Sequence, residues 1–192
     1  MRRDKKRILS EYLVAAARAG DRGAFDRLAR LWQPDLLRHA YRLSGEADIA
    51  QDVLQEAWLD IVRGLSGLSD IAAFPAWAYR IVTRKAAAMI RKRQKVRRTM
   101  AAISAEPIVS IDGPVEAEQR LDVANVSRAM AQLPPEQRSA MALFHRQEMS
   151  VAEIAIALDV PVGTVKTRLM HARRKMRAAL ATSQKGDCHD QE

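Results

Sequence analysis

The sequence predicts an all-α fold: two small helical domains joined by a flexible linker, the C-terminal one containing a helix-turn-helix. Three observations carry that prediction. Apolar residues recur at steps of three and four in both halves of the 192-residue chain, and no segment alternates with period two long enough to suggest a sheet. Between the halves, AAISAEPIVSIDGPVEAEQR contains Pro107, Gly113 and Pro114 and no sustained apolar period. The expected units are an N-terminal domain over 10–98, a linker over 99–120, a C-terminal domain over 121–182 and a polar tail over 183–192.

In the N-terminal half, Ala24, Phe25, Leu28, Leu31 and Trp32 form the first helical stripe, with Asp21 placed to cap it and Pro34 to break it. Ala50, Val53, Leu54, Ala57 and Ile61 form the second, where Asp48 and Gln51 are spaced for a capping box. A third helix is expected to open at Pro75, a favoured first-turn residue, and to bury Ala78, Ile81, Val82, Ala86 and Met89.

Composition narrows the function. Lys and Arg number 32 against 23 Asp and Glu, a formal charge of +9 that favours a polyanionic partner such as nucleic acid. The charge is uneven: residues 1–100 carry 21 basic and 11 acidic side chains, 101–130 carry 2 and 5, and 131–192 carry 9 and 7. One cysteine, Cys188, excludes an internal disulfide framework and a cysteine-rich zinc site. No apolar run has the length of a membrane span, and the basic start MRRDKKRILSEY lacks the apolar stretch of a signal peptide, so a cytoplasmic protein is expected. His39, His145, His171 and His189 share no ligand spacing, and no phosphate loop or nucleophile elbow occurs. The expectation is a protein that is not an enzyme and takes no cofactor, metal or small-molecule substrate.

Residues 150–180 carry the most information. Ser150 and Glu153 are spaced as a capping box, and Val151, Ile154, Ala155 and Leu158 line one face of a short helix. DVPVG then breaks the pattern, and a second helix buries Val165, Leu169, Ala172, Met176 and Leu180 while presenting Thr164, Lys166, Thr167, Met170, His171, Arg173, Arg174 and Arg177. A short bracing helix, a tight turn and a longer helix with a basic outer face make a helix-turn-helix, whose second helix enters the major groove. The bland alternative is a helical hairpin with a solvated basic face.

Two further segments stand out. Arg80 to Arg98 holds nine Lys or Arg and no acid in 19 residues, enough to neutralise several phosphates. It continues a helix bearing Trp77 and Tyr79, so stacking on single-stranded bases is open, as is a core role for Trp77. DIAQDVLQEAWLDI, residues 48–61, sets Asp52, Gln55, Glu56 and Leu59 opposite its buried stripe. An acidic, partly apolar face on a basic protein suits a protein partner better than DNA.

Together, in this order, the segments resemble the extracytoplasmic-function (ECF) sigma factors, small bacterial members of the sigma-70-type superfamily. The likeness rests on residues 21–95 and 121–180, above all LPPEQR followed by GTVKTRL. It implies that Asp52, Gln55, Glu56 and Leu59 face the clamp helices of the RNA polymerase β′ subunit. It implies that Trp77, Arg80, Arg84, Lys85, Arg91 and Lys92 recognise and melt the minus-10 element, with an extruded base held by the loop from Arg63 to Ala73. Thr164, Lys166, Thr167, Met170 and His171 are implied in minus-35 recognition, with Arg168, Arg173 and Arg174 nearer phosphates. Its implied partners are core polymerase (β′ clamp helices and β flap), promoter DNA and an anti-sigma factor. The chain departs from the family's pattern at Arg84, Lys85, Ala88 and His171, which bears on promoter preference. A stand-alone DNA-binding regulator would need neither the acidic face nor LPPEQR, and an RNA-binding protein using 80–98 would leave the helix-turn-helix without a role.

Overall fold

The computed structural model describes residues 2–100 and 119–186, which hold eight α-helices, two 3-10 turns and no strand. The helices are α1 (Arg2–Arg18), α2 (Arg22–Ser44), α3 (Ala47–Gly64), α4 (Phe74–Met100), α5 (Gln119–Ala131), α6 (Pro135–His145), α7 (Val151–Leu158) and α8 (Val162–Gly186). Most of the expected linker and the end of the expected tail, residues 101–118 and 187–192 with Cys188 and His189, lie outside the described residues.

Each stripe predicted from spacing is a packed face. In α2, Asp21 accepts a hydrogen bond from the Ala24 N–H at 3.0 Å, and Ala24, Leu28 and Trp32 are buried. Pro34 does not end the helix, contrary to expectation: α2 continues to Ser44 and buries Leu36, His39 and Ala40 beyond it. Proline costs about 3 kcal/mol inside a helix, but each large apolar side chain buried on the same face returns about 1.5–3 kcal/mol. In α3 the stripe is buried as expected and gains Ile49, yet the N-cap position is Glu46, which makes no side-chain capping hydrogen bond. The Asp48–Gln51 capping box is therefore not formed; Asp48 sits within the first turn, where its charge complements the helix dipole. In α4 Pro75 lies in the first turn, and Ala78, Val82 and Ala86 are fully buried with Ile81 and Met89 partly so.

Helices α1 to α4 form the first bundle, with α2 against α3, α4 and α1. Helices α5 to α8 form the second, in which α6 and α7 both pack on α8. The two bundles also pack on each other, α7 lying against α4 and α6 against α2. One core cluster runs through both, from Leu28 and Tyr79 to Ile154 and Leu158. Helix α1, whose first turns precede the expected domain start at residue 10, ties into this arrangement at three points. Trp32 Nε1–H donates to Ser10 Oγ at 3.0 Å, Lys6 pairs with Asp35 and stacks over the Trp32 ring, and Arg7 pairs with Glu153 of α7.

Candidate nucleic-acid interface

The helix-turn-helix is built as the spacing predicts. Ser150 Oγ accepts from the Glu153 N–H at 3.2 Å, and Glu153 Oε2 accepts from the Ser150 N–H at 2.7 Å, so both donors at the start of α7 are satisfied. Burial alone would raise the Glu153 pKa; the bonds from Ser150 and the Arg7 guanidinium outweigh it and hold the carboxyl below its usual range. At the other end, Asp159 adopts a left-handed conformation (φ 54°, ψ 47°), and the chain turns into α8. Val165, Leu169 and Ala172 are buried beneath α8, and Met176 and Leu180 partly so.

On the outer face of α8, Lys166, Thr167, Met170, Arg173 and Arg174 are exposed and Thr164 and His171 half-exposed. The Thr167 hydroxyl donates to the Gly163 carbonyl at 3.0 Å, a back-bond that occupies its one proton. Two of the predicted phosphate contacts have protein neighbours: Arg168 pairs with Glu136 of α6 at 2.6 Å, and the Arg173 guanidinium lies 5.1 Å above the Phe144 ring.

The basic face of α4 is arranged differently. Arg80 binds Asp159 of the second bundle through Nη2 at 2.8 Å and Nε at 3.0 Å, and Arg84 Nε lies 3.6 Å from the same carboxylate. Lys85 turns to α3, 2.9 Å from Asp60 and 3.5 Å from Glu56; the hydrogen bond to Asp60 is the main reason its pKa is raised. Arg91 and Lys92 are exposed, and Arg93, which the sequence reading passed over, pairs with Glu46 at 2.6 Å. Trp77 is half-buried on the core, its ring 6.1 Å from that of Phe74. Gly64 makes room for it: a Cβ there would stand 2.9 Å from Trp77 Cζ2. The loop before α4 forms two 3-10 turns, Leu65–Gly67 and Ile71–Ala73; Leu65 and Leu68 are buried and Asp70 accepts from the Ala72 N–H at 2.9 Å.

Beneath α4 lies a buried polar group that periodicity did not single out. His39 is fully buried, its Nε2 2.9 Å from Thr83 Oγ1 and its ring 5.0 Å from that of Tyr79. Burial, then the nearby Arg42 charge, pulls its pKa down to about 3, so the ring is neutral in the folded protein. Thr83 Oγ1 lies 2.7 Å from the carbonyl of Ala157 in α7. The Tyr79 carbonyl also lies 2.9 Å from this hydroxyl; with the proton on either carbonyl, Thr83 Oγ1 accepts from His39 Nε2–H.

The predicted protein-docking face also stands clear. Asp52, Gln55, Glu56 and Leu59 are all exposed along α3, and Val62, three residues beyond Leu59, is 54 % exposed and extends the apolar part. Val62 is spaced to share a face with Leu59, a signal the sequence contained.

Comparison with known protein families gives two matches. The sigma-70 region 2 family matches residues 28–96 and the sigma-70 region 4 family residues 124–176. The RNA polymerase sigma-H factor of Pseudomonas aeruginosa is 33 % identical over 179 residues, covering 88 % of this chain and 93 % of its own. The ECF RNA polymerase sigma factor SigM of Mycobacterium tuberculosis is 36 % identical over 164 residues, 85 % of this chain and 81 % of its own. The chain belongs to the ECF sigma factors. It is thus a promoter-directing sigma factor, a member of a family of transcription initiation factors. Among solved structures, Bartonella quintana RpoE in complex with the anti-sigma factor NepR shares the fold, with a TM-score of 0.65 at 22 % identity over 82 % of this chain and 96 % of that one. CnrH in complex with the cytosolic domain of CnrY gives 0.61 at 23 % over 91 % and 98 %. No helix among the described residues of this sigma factor is long and apolar enough to cross a membrane.

Proposed function

We propose that this sigma factor divides its work among three surfaces, with domains working as units over 10–98 and 121–182. Asp52, Gln55, Glu56, Leu59 and Val62 dock on the clamp helices of polymerase β′, while the β flap holds the C-terminal domain. Lys166, Thr167, Met170 and His171 read minus-35 bases, with Thr164 at the helix start and Arg168, Arg173 and Arg174 toward phosphates. Trp77, Arg80, Arg84, Lys85, Arg91 and Lys92 engage minus-10 DNA, which separates next to the loop from Arg63 to Ala73. Extruding a base costs a few kcal/mol, offset there by stacking and a pocket. The protein works in the cytoplasm, where polymerase and promoter are.

The single observation that carries this reading is the outer face of α8: basic and exposed, on the second helix of a helix-turn-helix. An anti-sigma factor is the further partner, spanning both domains. Support comes from a groove of about 580 Å³ where α2 meets α5, α6 and α8, lined by Arg38, Arg42, Arg138 and Arg146 over Met130, Met141 and Met176. Burial pulls the Arg42 guanidinium down to about 10, the mark of a cation short of solvent that an acidic helix would relieve.

Run-off transcription with purified core polymerase on a pool of genomic promoter fragments tests the assignment. Transcripts that depend on the protein and come from a small subset sharing two motifs are expected. Asp52→Ala with Glu56→Ala should reduce polymerase binding at least about ten-fold while leaving helicity unchanged. Absence of polymerase binding by the wild-type chain would refute the polymerase part of the assignment.

A further inference from the structure

Helix α1 is packed along one side only. Ser10, Leu13 and Val14 are buried against the first bundle, and Ala17 partly so. The opposite side carries Ile8, Leu9 and Tyr12 at 65, 45 and 68 % exposure, large apolar side chains that the fold itself does not use. Further along, the same side carries only alanines, Ala15 and Ala19 exposed and Ala16 half-buried. Ala19 still follows the helix, its N–H bonding the Ala15 carbonyl at 3.1 Å. The strip is therefore bulky in its first half and small in its second. Along one flank it has a charge of each sign, Glu11 in the first half and Arg18 in the second. Neither has an ion-pair partner among the described residues.

We propose that this strip pairs two copies of the chain, α1 against α1 in antiparallel register. Ile8, Tyr12, Ala15 and Ala19 follow one another at the four-three-four steps of a coiled-coil seam. A two-fold axis between Leu13 and Val14 sets Ile8 on Ala19 of the second copy, Leu9 on its Ala16 and Tyr12 on its Ala15. Each bulky side chain then meets an alanine, which lets the two backbones approach and the layers interdigitate. The same register puts Glu11 beside Arg18 of the second copy, twice by symmetry. Charge also decides the direction. A parallel pair would bring together two starts that each hold Arg2, Arg3, Lys5, Lys6 and Arg7, and the antiparallel pair places them at opposite ends. Beyond the seam Lys5 faces Asp21 and Arg22 of the second copy, whose signs offset each other. A seam of about three turns falls short of the roughly 1,200 Å² buried by a stable complex, so the pair is weak and reversible. No residue of the strip belongs to the α3 docking face or to the outer face of α8, and the inference does not depend on the sigma assignment.

Sedimentation equilibrium of the full chain reads the pairing, under reducing conditions that keep Cys188 from linking chains. Between about 10 and 500 µM the wild type should move from monomer toward dimer mass. Tyr12→Glu, which places a charge in the seam, should remain monomeric throughout. Glu11→Arg and Arg18→Glu each turn two attractions into two repulsions and should weaken pairing about ten-fold. Combining them exchanges the charges and should return the dissociation constant to within about two-fold of the wild type. These side chains lie on the solvent side of α1, so circular dichroism should show unchanged helicity in every variant. A wild type that stays monomeric over the whole range would overturn the proposal and leave the strip to a helix of another protein. Pairing that survives Tyr12→Glu would overturn it too, as would a charge exchange that fails to restore what each single reversal removed.

Discussion

The two helices proposed to contact DNA, α4 and α8, carry similar charge and meet opposite surroundings. On α4, Arg80, Arg84 and Lys85 each face a carboxylate from another helix: Asp159 for the arginines, Asp60 and Glu56 for the lysine. On α8, Lys166, Met170 and Arg174 project into solvent, and Arg168 is drawn to the Glu136 carboxylate of α6. Basic residues therefore do not by themselves make an open DNA surface. What matters is whether a neighbouring element supplies the counter-charge first, and α4 is the helix against which a second bundle packs.

The largest expected effect concerns the buried support under the covered helix. His39 is neutral in the fold, with a pKa near 3, and in the unfolded chain returns to about 6.5. Between those values the unfolded state binds a proton that the folded state does not, so stability is lost as pH falls. Urea unfolding should show a loss approaching ~1.4 kcal/mol per pH unit below 6.5, and His39→Leu should flatten that slope. Asp35 and Glu153, both lowered, act in the same direction only as pH falls past their ordinary values of 3.8 and 4.5. An unchanged slope in the variant would place the acid sensitivity elsewhere.

On the open helix, Lys166→Ala should cost about 1–3 kcal/mol in discrimination between a matched and an altered minus-35 duplex. Thr167→Ala should cost less, because its hydroxyl proton is already given to Gly163. Fluorescence anisotropy with paired duplexes reads both, and equal losses would contradict the back-bonded geometry. Ser150→Ala removes half of the capping box and should destabilise the second bundle by about 1 kcal/mol, seen as a lower urea midpoint. The smallest effect is at Lys85. Its partners are partly exposed, so Lys85→Met should change stability by less than about 1 kcal/mol and leave duplex binding through α8 unaltered.

The sites were legible where they depend on neighbours in sequence. Exposure of Asp52, Gln55, Glu56 and Leu59 follows from the same period that buries Val53, Ala57 and Ile61, and the Ser150–Glu153 box needs only a spacing of three. Misreadings arose where local preference met tertiary packing. Pro34 is a helix breaker in isolation, overruled here by Leu36, His39 and Ala40 on the core side. Asp48 and Gln51 have the spacing of a box, but α3 begins at Ala47 with Glu46 as its N-cap, so Asp48 already lies in the first turn. Nothing local distinguishes Arg80 from Arg91; a carboxylate 79 residues away reaches the first, and the second stays exposed.

By itself the sequence determined the all-α class, the buried stripes of α2, α3, α4, α7 and α8, the helix-turn-helix and the family, because helical period, caps and motif order are properties of residues close together along the chain. Only the tertiary structure decided which charges are free. It set α7 across α4, brought Asp159 to Arg80 and Arg84, and enclosed His39 against Thr83. Those pairings join residues far apart in sequence, and their formation depends on how two apolar faces settle against each other. A linear pattern records that such faces exist, and packing alone decides what meets across them.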